Sequence, residues 1–152
     1  MYPQRSHPSK GVLFVENRPT LVFLTVCTRG RKRWLAHDLV HQQLRSAWLN
    51  STDWMVGSYL LMPDHLHLFT WPGTGRLCFD MWIKVWKSRF SLIHQTPDHC
   101  WQAGSFHHRI RCHEGAEQKR SYMTANPVRA GLVTDPAQWP YQGEVFEGCV
   151  WW

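Results

Sequence analysis

The sequence has no apolar run near the roughly 20 residues that a membrane-spanning helix needs. Its opening stretch, Met1 to Lys10, carries no apolar segment of signal-peptide type either, so neither insertion nor export is expected. No CxxC pair is present. The five cysteines, Cys27, Cys78, Cys100, Cys112 and Cys149, are scattered and odd in number, which argues against a disulfide framework or a zinc ribbon and predicts a reducing cytoplasm. Cys100, Cys112 and His113 share a region with His94 and His99, but their spacing matches no common zinc signature. Repeats and low-complexity tracts are also missing. Acidic residues are few: 11 against 17 basic ones give a net charge of +6, and ten histidines stand in reserve. That balance predicts an anionic partner.

What is present suffices for one compact domain in 152 residues, with 43% hydrophobic residues to fill a core. Ten tryptophans are unusual for this length, and such rings serve either as core filling or as platforms for nucleobases. Residues 1–20 mix Pro3, Pro8 and Pro19 with Arg5, Lys10 and Arg18, and read as an irregular basic arm. Residues 21–152 then form a single domain.

Within it, the β-branched apolar run Leu21 to Thr28 predicts a buried strand ending in the basic turn Arg29 to Arg33. Helical spacing of Leu39, Val40, Leu44, Ala47 and Trp48 predicts a helix over 36–50. Strand patterns at 54–62 and 65–71, joined by Pro63-Asp64, predict a hairpin. Phe79, Trp82, Ile83, Trp86, Phe90 and Ile93 recur at steps of three and four, so residues 77–94 read as a second amphipathic helix. A short strand at 106–111 follows, then a third helix from Glu114 to about Ala125, ended by Asn126-Pro127. Beyond Gly131 the tail looks turn-rich. The order describes an α+β, ferredoxin-like split βαβ antiparallel sheet with helices on one face and an added C-terminal helix that bears a tyrosine. That fold hosts unrelated functions, so any activity must be argued from sites.

Two constellations carry chemistry. In His65-Leu66-His67 the period of a strand points both imidazoles to one face. Two neutral imidazoles side by side can share a divalent cation, or can simply be polar residues on a wet sheet face. The expectation is that they face the third helix from a central strand. On that helix Tyr122 and Asn126 are four apart and so lie about one turn from each other on nearly one face. The alternative is a core tyrosine and a capping asparagine.

Three separated segments carry a resemblance. They are Leu61-Met62-Pro63-Asp64-His65-Leu66-His67-Leu68, the stretch from Trp101-Gln102 through Phe106-His107-His108-Arg109-Ile110-Arg111, and Tyr122 to Val133 with its Asn126-Pro127-Val128-Arg129-Ala130-Gly131 core. Together with Thr25, Arg29 and Trp139 to Glu144, they resemble the REP-associated tyrosine transposases, a branch of the single-tyrosine HUH transposases, over about residues 20–147. The resemblance implies a metal-dependent endonuclease and strand transferase acting on single-stranded DNA that folds into hairpins, through a 5′-phosphotyrosine intermediate. It implies Tyr122 as nucleophile, and His65, His67 and Asn126 as ligands of Mg²⁺ or Mn²⁺. A phenol of pKa about 10 is a poor nucleophile at neutral pH, so help from a cation at the phosphate is chemically reasonable. His107 departs from the pattern, standing where an acidic residue is often expected; neither it nor His108 is given a ligand role.

For a phosphate-binding enzyme the DNA track is expected along Arg29, Arg31, Lys32, Arg33, Lys84, Lys87 and Arg89, which otherwise read as a solvated rim. Trp82 and Trp86, at helical spacing, read as core. The protein is expected in the cytoplasm, associated with the nucleoid, as a monomer or homodimer and without membrane contact. The competing reading is a non-catalytic, domesticated DNA- or RNA-binding module.

Overall fold

A computed structural model describes residues 20–147. The arm expected over 1–20, apart from Thr20, and the terminal Val150-Trp151-Trp152 lie outside the described residues. The strands are β1 (Leu21–Cys27), β2 (Trp54–Leu61), β3 (His65–Pro72), β4 (Phe106–Ile110) and β5 (Gln142–Glu144), and the helices α1 (Asp38–Leu49), α2 (Phe79–His94) and α3 (His113–Arg129). The strands form one sheet in the order β4-β1-β3-β2-β5, every neighbour antiparallel. This is the split βαβ order with one extra edge strand. Among the described residues no helix is long and apolar enough to cross a membrane.

Alternation along β1 explains why the sheet is covered on both sides. Val22, Leu24 and Val26 join α1 through Val40, Leu44 and Trp48, and α2 through Trp82, Ile83, Trp86 and Phe90, in one apolar cluster. Leu21 and Phe23, on the other face, join Leu60, Phe69 and Ile110 and meet Ala116 and Met123 of α3 in a second. Helices α1 and α2 therefore share one face, and the added α3 takes the other. Trp82 and Trp86 are buried, in the core as their spacing predicts.

Two boundaries differ from expectation. Helix α3 does not stop at Asn126-Pro127 but runs to Arg129 with Pro127 inside it and buried. An interior proline ordinarily costs about 3 kcal/mol; here it sits in the last turn, where little of the hydrogen-bond ladder remains to be lost, and its ring is buried. The helix ends instead at Gly131 (φ +72°). The Leu132 amide donates to the Pro127 carbonyl (2.9 Å) and the Gly131 amide to that of Val128 (3.0 Å), a Schellman closure that a glycine adopts without strain. The second difference is β5, which the tail composition conceals because three residues cannot display a period. It pairs with β2, Gly143 opposite Tyr59, and a Cβ at Gly143 would lie 2.9 Å from the Tyr59 hydroxyl.

Candidate active site

The face of the sheet under α3 gathers the chemistry. On β3, Leu66 and Leu68 point into the α1/α2 core, so His65 and His67 take the opposite face, their ring centroids 4.9 Å apart. His67 is 3% exposed and stacks on Phe23 of β1 (5.1 Å, 19°). Its Nδ1 lies 2.8 Å from the hydroxyl of Thr25, the residue directly across the ladder. Its Nε2 is buried without a hydrogen-bond partner. Burial, then the charges of His65, Lys119 and Arg31, press its pKa down from 6.5 to about 3, so the ring is neutral near pH 7.

His65 is anchored through the same ring position. Its Nδ1–H donates to Asp64 Oδ1 at 2.7 Å, which fixes the ring and turns Nε2 away from the carboxylate. The other oxygen of Asp64 accepts from Arg31 Nε at 2.9 Å. Burial alone would raise the Asp64 carboxyl, but hydrogen bonds and charge from His65 and Arg31 bring it below the ordinary carboxylate range. Both imidazoles are thus held at Nδ1 by polar neighbours, an arrangement that orients Nε2 for metal binding.

Above them stands α3, whose start is capped by Cys112 Sγ accepting from the Gly115 amide (3.4 Å). Tyr122 is 46% exposed and its ring meets His67 edge-on, centroids 5.6 Å apart. Asn126, one turn on, donates from Nδ2 to the Tyr122 carbonyl (3.1 Å), which leaves its amide oxygen able to accept or ligate. Among the described residues no three His, Cys, Asp or Glu side chains gather as a metal site. The groups this face offers a cation are therefore the two imidazoles, one with an orphaned buried nitrogen.

The other tyrosines are placed differently. Tyr59 lies in the α1/α2 core, its hydroxyl held by His41 Nε2 (2.7 Å) and Arg45 Nη1 (2.5 Å); burial raises its pKa even though Arg45 pulls the other way. Tyr141 packs edge-on against Trp139 (5.4 Å).

The expected basic residues divide between regions. Arg29, Arg31, Lys32 and Arg33 follow β1 and are all exposed, with Arg31 tied to Asp64 at the rim of the site. Lys84, Lys87 and Arg89 belong to α2, on the far face of the sheet from the histidines. Lys87 is occupied, donating to the carbonyls of Gln102 (3.0 Å) and Gly104 (2.9 Å). His107 packs against Phe79 (5.1 Å) on that same far face. Sequence reasoning passed over Asp64 as a functional residue and, on α3, Lys119 and Arg120. Lys119 Nζ lies 5.5 Å from the centroid of Phe23 and the Arg120 guanidinium 5.5 Å from that of Phe69. The signal for Lys119 was available: it precedes Tyr122 by three, on the same helical face.

No family model matches the chain. A REP-associated tyrosine transposase of Escherichia coli (strain K12) is 25% identical over 123 residues, 78% of this chain and 73% of the relative. The solved structure of a REP-associated tyrosine transposase bound to a REP hairpin superposes with a TM-score of 0.70 at 21% identity, over 90% of this chain and 92% of that one. The chain is similar to REP-associated tyrosine transposases in sequence and in fold. Three of the residues that carry the resemblance, His65, His67 and Tyr122, are brought together on one face of the sheet.

Proposed function

We propose that this chain is a metal-dependent endonuclease and strand transferase for single-stranded DNA that folds into hairpins, with Tyr122 as its nucleophile. The observation that carries this reading is the Nε2 of His67, buried and partnerless beside an exposed phenol. A buried ring nitrogen left without a partner costs about 1–3 kcal/mol, a penalty that a cation bound to Nε2 would relieve. The relative's name and the hairpin-bound solved structure support a DNA hairpin as the partner. A binding module would have no use for an orphaned imidazole next to an accessible tyrosine.

A Mg²⁺ or Mn²⁺ held by His65, His67 and Asn126 would supply charge neutralisation at the scissile phosphate. The chain's own groups do the rest. Tyr122 Oη forms a bond to phosphorus as the phosphorus–O3′ bond breaks, giving a 5′-phosphotyrosyl link and a 3′-hydroxyl. The phenol proton leaves to solvent, which the exposure of Tyr122 permits, and the departing 3′-oxygen takes one up. Because the phosphodiester energy is kept in the covalent link, resealing to a second 3′-hydroxyl needs no nucleotide cofactor. The enzyme would work in the cytoplasm on nucleoid DNA, as a monomer or homodimer.

The test is to incubate a labelled single-stranded hairpin from the host's own genomic repeats with the protein and Mn²⁺. The expected result is a denaturant-resistant adduct that peptide mass maps to Tyr122, absent in chelator and in Tyr122→Phe. An adduct on Tyr59 or Tyr141, or undiminished cutting by Tyr122→Phe, would overturn the mechanism. No adduct with the unmutated protein would favour the binding-module reading.

A further inference from the structure

We propose that Lys119 is a further catalytic residue, its ammonium binding a non-bridging oxygen of the phosphate that Tyr122 attacks. The inference rests on the reading of Tyr122 as nucleophile and adds a group that this reading does not contain.

Geometry is the first support. Lys119 and Tyr122 are three apart on α3 and so project over the same part of the sheet. The Lys119 ammonium sits 5.5 Å above Phe23, Phe23 stacks on His67 at 5.1 Å, and the Tyr122 ring meets the same His67 at 5.6 Å. Cation, imidazole and phenol thus share one small patch. Burial gives the second support: Phe23 and His67 are both buried, so the patch beneath the ammonium is shielded from water.

The third support is availability. Arg31 is paired with Asp64, Lys87 is spent on two loop carbonyls, and Arg120 is shared between Ser58 and Glu117. Lys119 has no carboxylate partner among the described residues and rests on an aromatic face, a weak hold for a cation. A lysine on a flexible stem is a mobile point charge, able to leave Phe23 for a phosphate that arrives above His67. There it would oppose the negative charge that builds on the equatorial oxygens as the phenol attacks, an effect worth most in a partly desolvated site.

The experiment first maps the scissile phosphate through the Tyr122 adduct on the host-repeat hairpin described above. Binding of that strand is then measured in chelator, with no metal present, in a two-by-two cycle. One axis replaces the mapped phosphate by a neutral methylphosphonate; the other is Lys119→Met, which keeps the alkyl stem over Phe23 and removes the charge. The expected result is an affinity about tenfold lower for either change alone, with little further loss when both are made. In Mn²⁺, Lys119→Met should cut about 100-fold more slowly, and Lys119→Arg should recover most of that loss. Independent losses in the cycle, or coupling only to a neighbouring phosphate, would overturn the role of Lys119 while the Tyr122 adduct still stood. Absence of the adduct from the unmutated protein would overturn the proposed function and this inference with it.

Discussion

The two faces of β1 and β3 are built from alternate residues of the same strands, yet one is a tryptophan-filled core and the other holds nearly all the chemistry. On the α1/α2 face, Trp48, Trp82 and Trp86 interlock edge-on and tilted, with ring centroids 5.8 and 6.3 Å apart. On the α3 face, His65, Thr25 and His67 carry polar atoms, and Tyr122, above them, is half exposed. Helix α3 has only Ala116, Met123 and Pro127 buried, so it is tethered at few points. The lesson is a division of labour: the first face supplies the stability that lets the second carry a desolvated imidazole with a partnerless buried nitrogen, which costs free energy.

Substitutions should therefore behave oppositely on the two faces. The largest contrast sets Tyr122→Phe against Trp86→Ala. Losing the exposed hydroxyl should abolish adduct formation and change stability by about 1 kcal/mol or less. Removing the buried indole should cost about 3–5 kcal/mol in denaturant titration, with adduct formation persisting while the variant is folded. Loss of cutting without loss of fold in Trp86→Ala would erase the distinction.

Next in size is the response to acid. His67 titrates near 6.5 when unfolded and at about 3 in the native state, so between those values the unfolded chain binds the extra proton. Native stability should fall as pH drops from about 6.5 toward 3, and His67→Gln should flatten that limb. His41, His94, His99 and His108 are also lowered, so a residual slope of the same sign should survive. Trp86→Ala should lower the whole curve and leave its slope unchanged. Denaturant midpoints measured at pH 7 and pH 4.5 separate the two behaviours.

A smaller effect should follow Asp64→Asn, which keeps the shape but weakens the anchor of His65. Loss of such an outer partner typically costs about 10–100-fold in metal affinity or activity. Mn²⁺ titration of cutting should show a raised half-maximal concentration and little change in hairpin binding. Smallest of all, Lys32→Ala with Arg33→Ala should weaken every strand about equally and reduce the salt slope by about 0.7 for each phosphate no longer neutralised. Unchanged slope would remove this turn from the DNA track.

Much of this was readable from residue order. The split βαβ plan follows from the order of apolar periods, and placing both histidines on one face follows from strand alternation alone. The extent of α3 was not readable, because a proline that ordinarily ends helices is accommodated at Pro127 by its burial and by the closure at Gly131. Nor was β5, whose three residues are too few to display a period and are recognised only by their pairing with β2, Gly143 opposite Tyr59.

Local pattern decides what depends on near neighbours: which residues alternate, where a helix can begin, and that Tyr122 and Asn126 lie one turn apart. Distant approaches are invisible to it. Only the packed chain sets Thr25 against the Nδ1 of His67, 42 positions away, and Arg31 against Asp64, 33 positions away. Only the packed chain brings Lys119 over Phe23 and sends Lys84 and Arg89 to the far side of the sheet. A side chain's charge and donor atoms are written in its type, but its desolvation and its partners are set by what the fold stacks against it, and no short stretch of sequence holds that information.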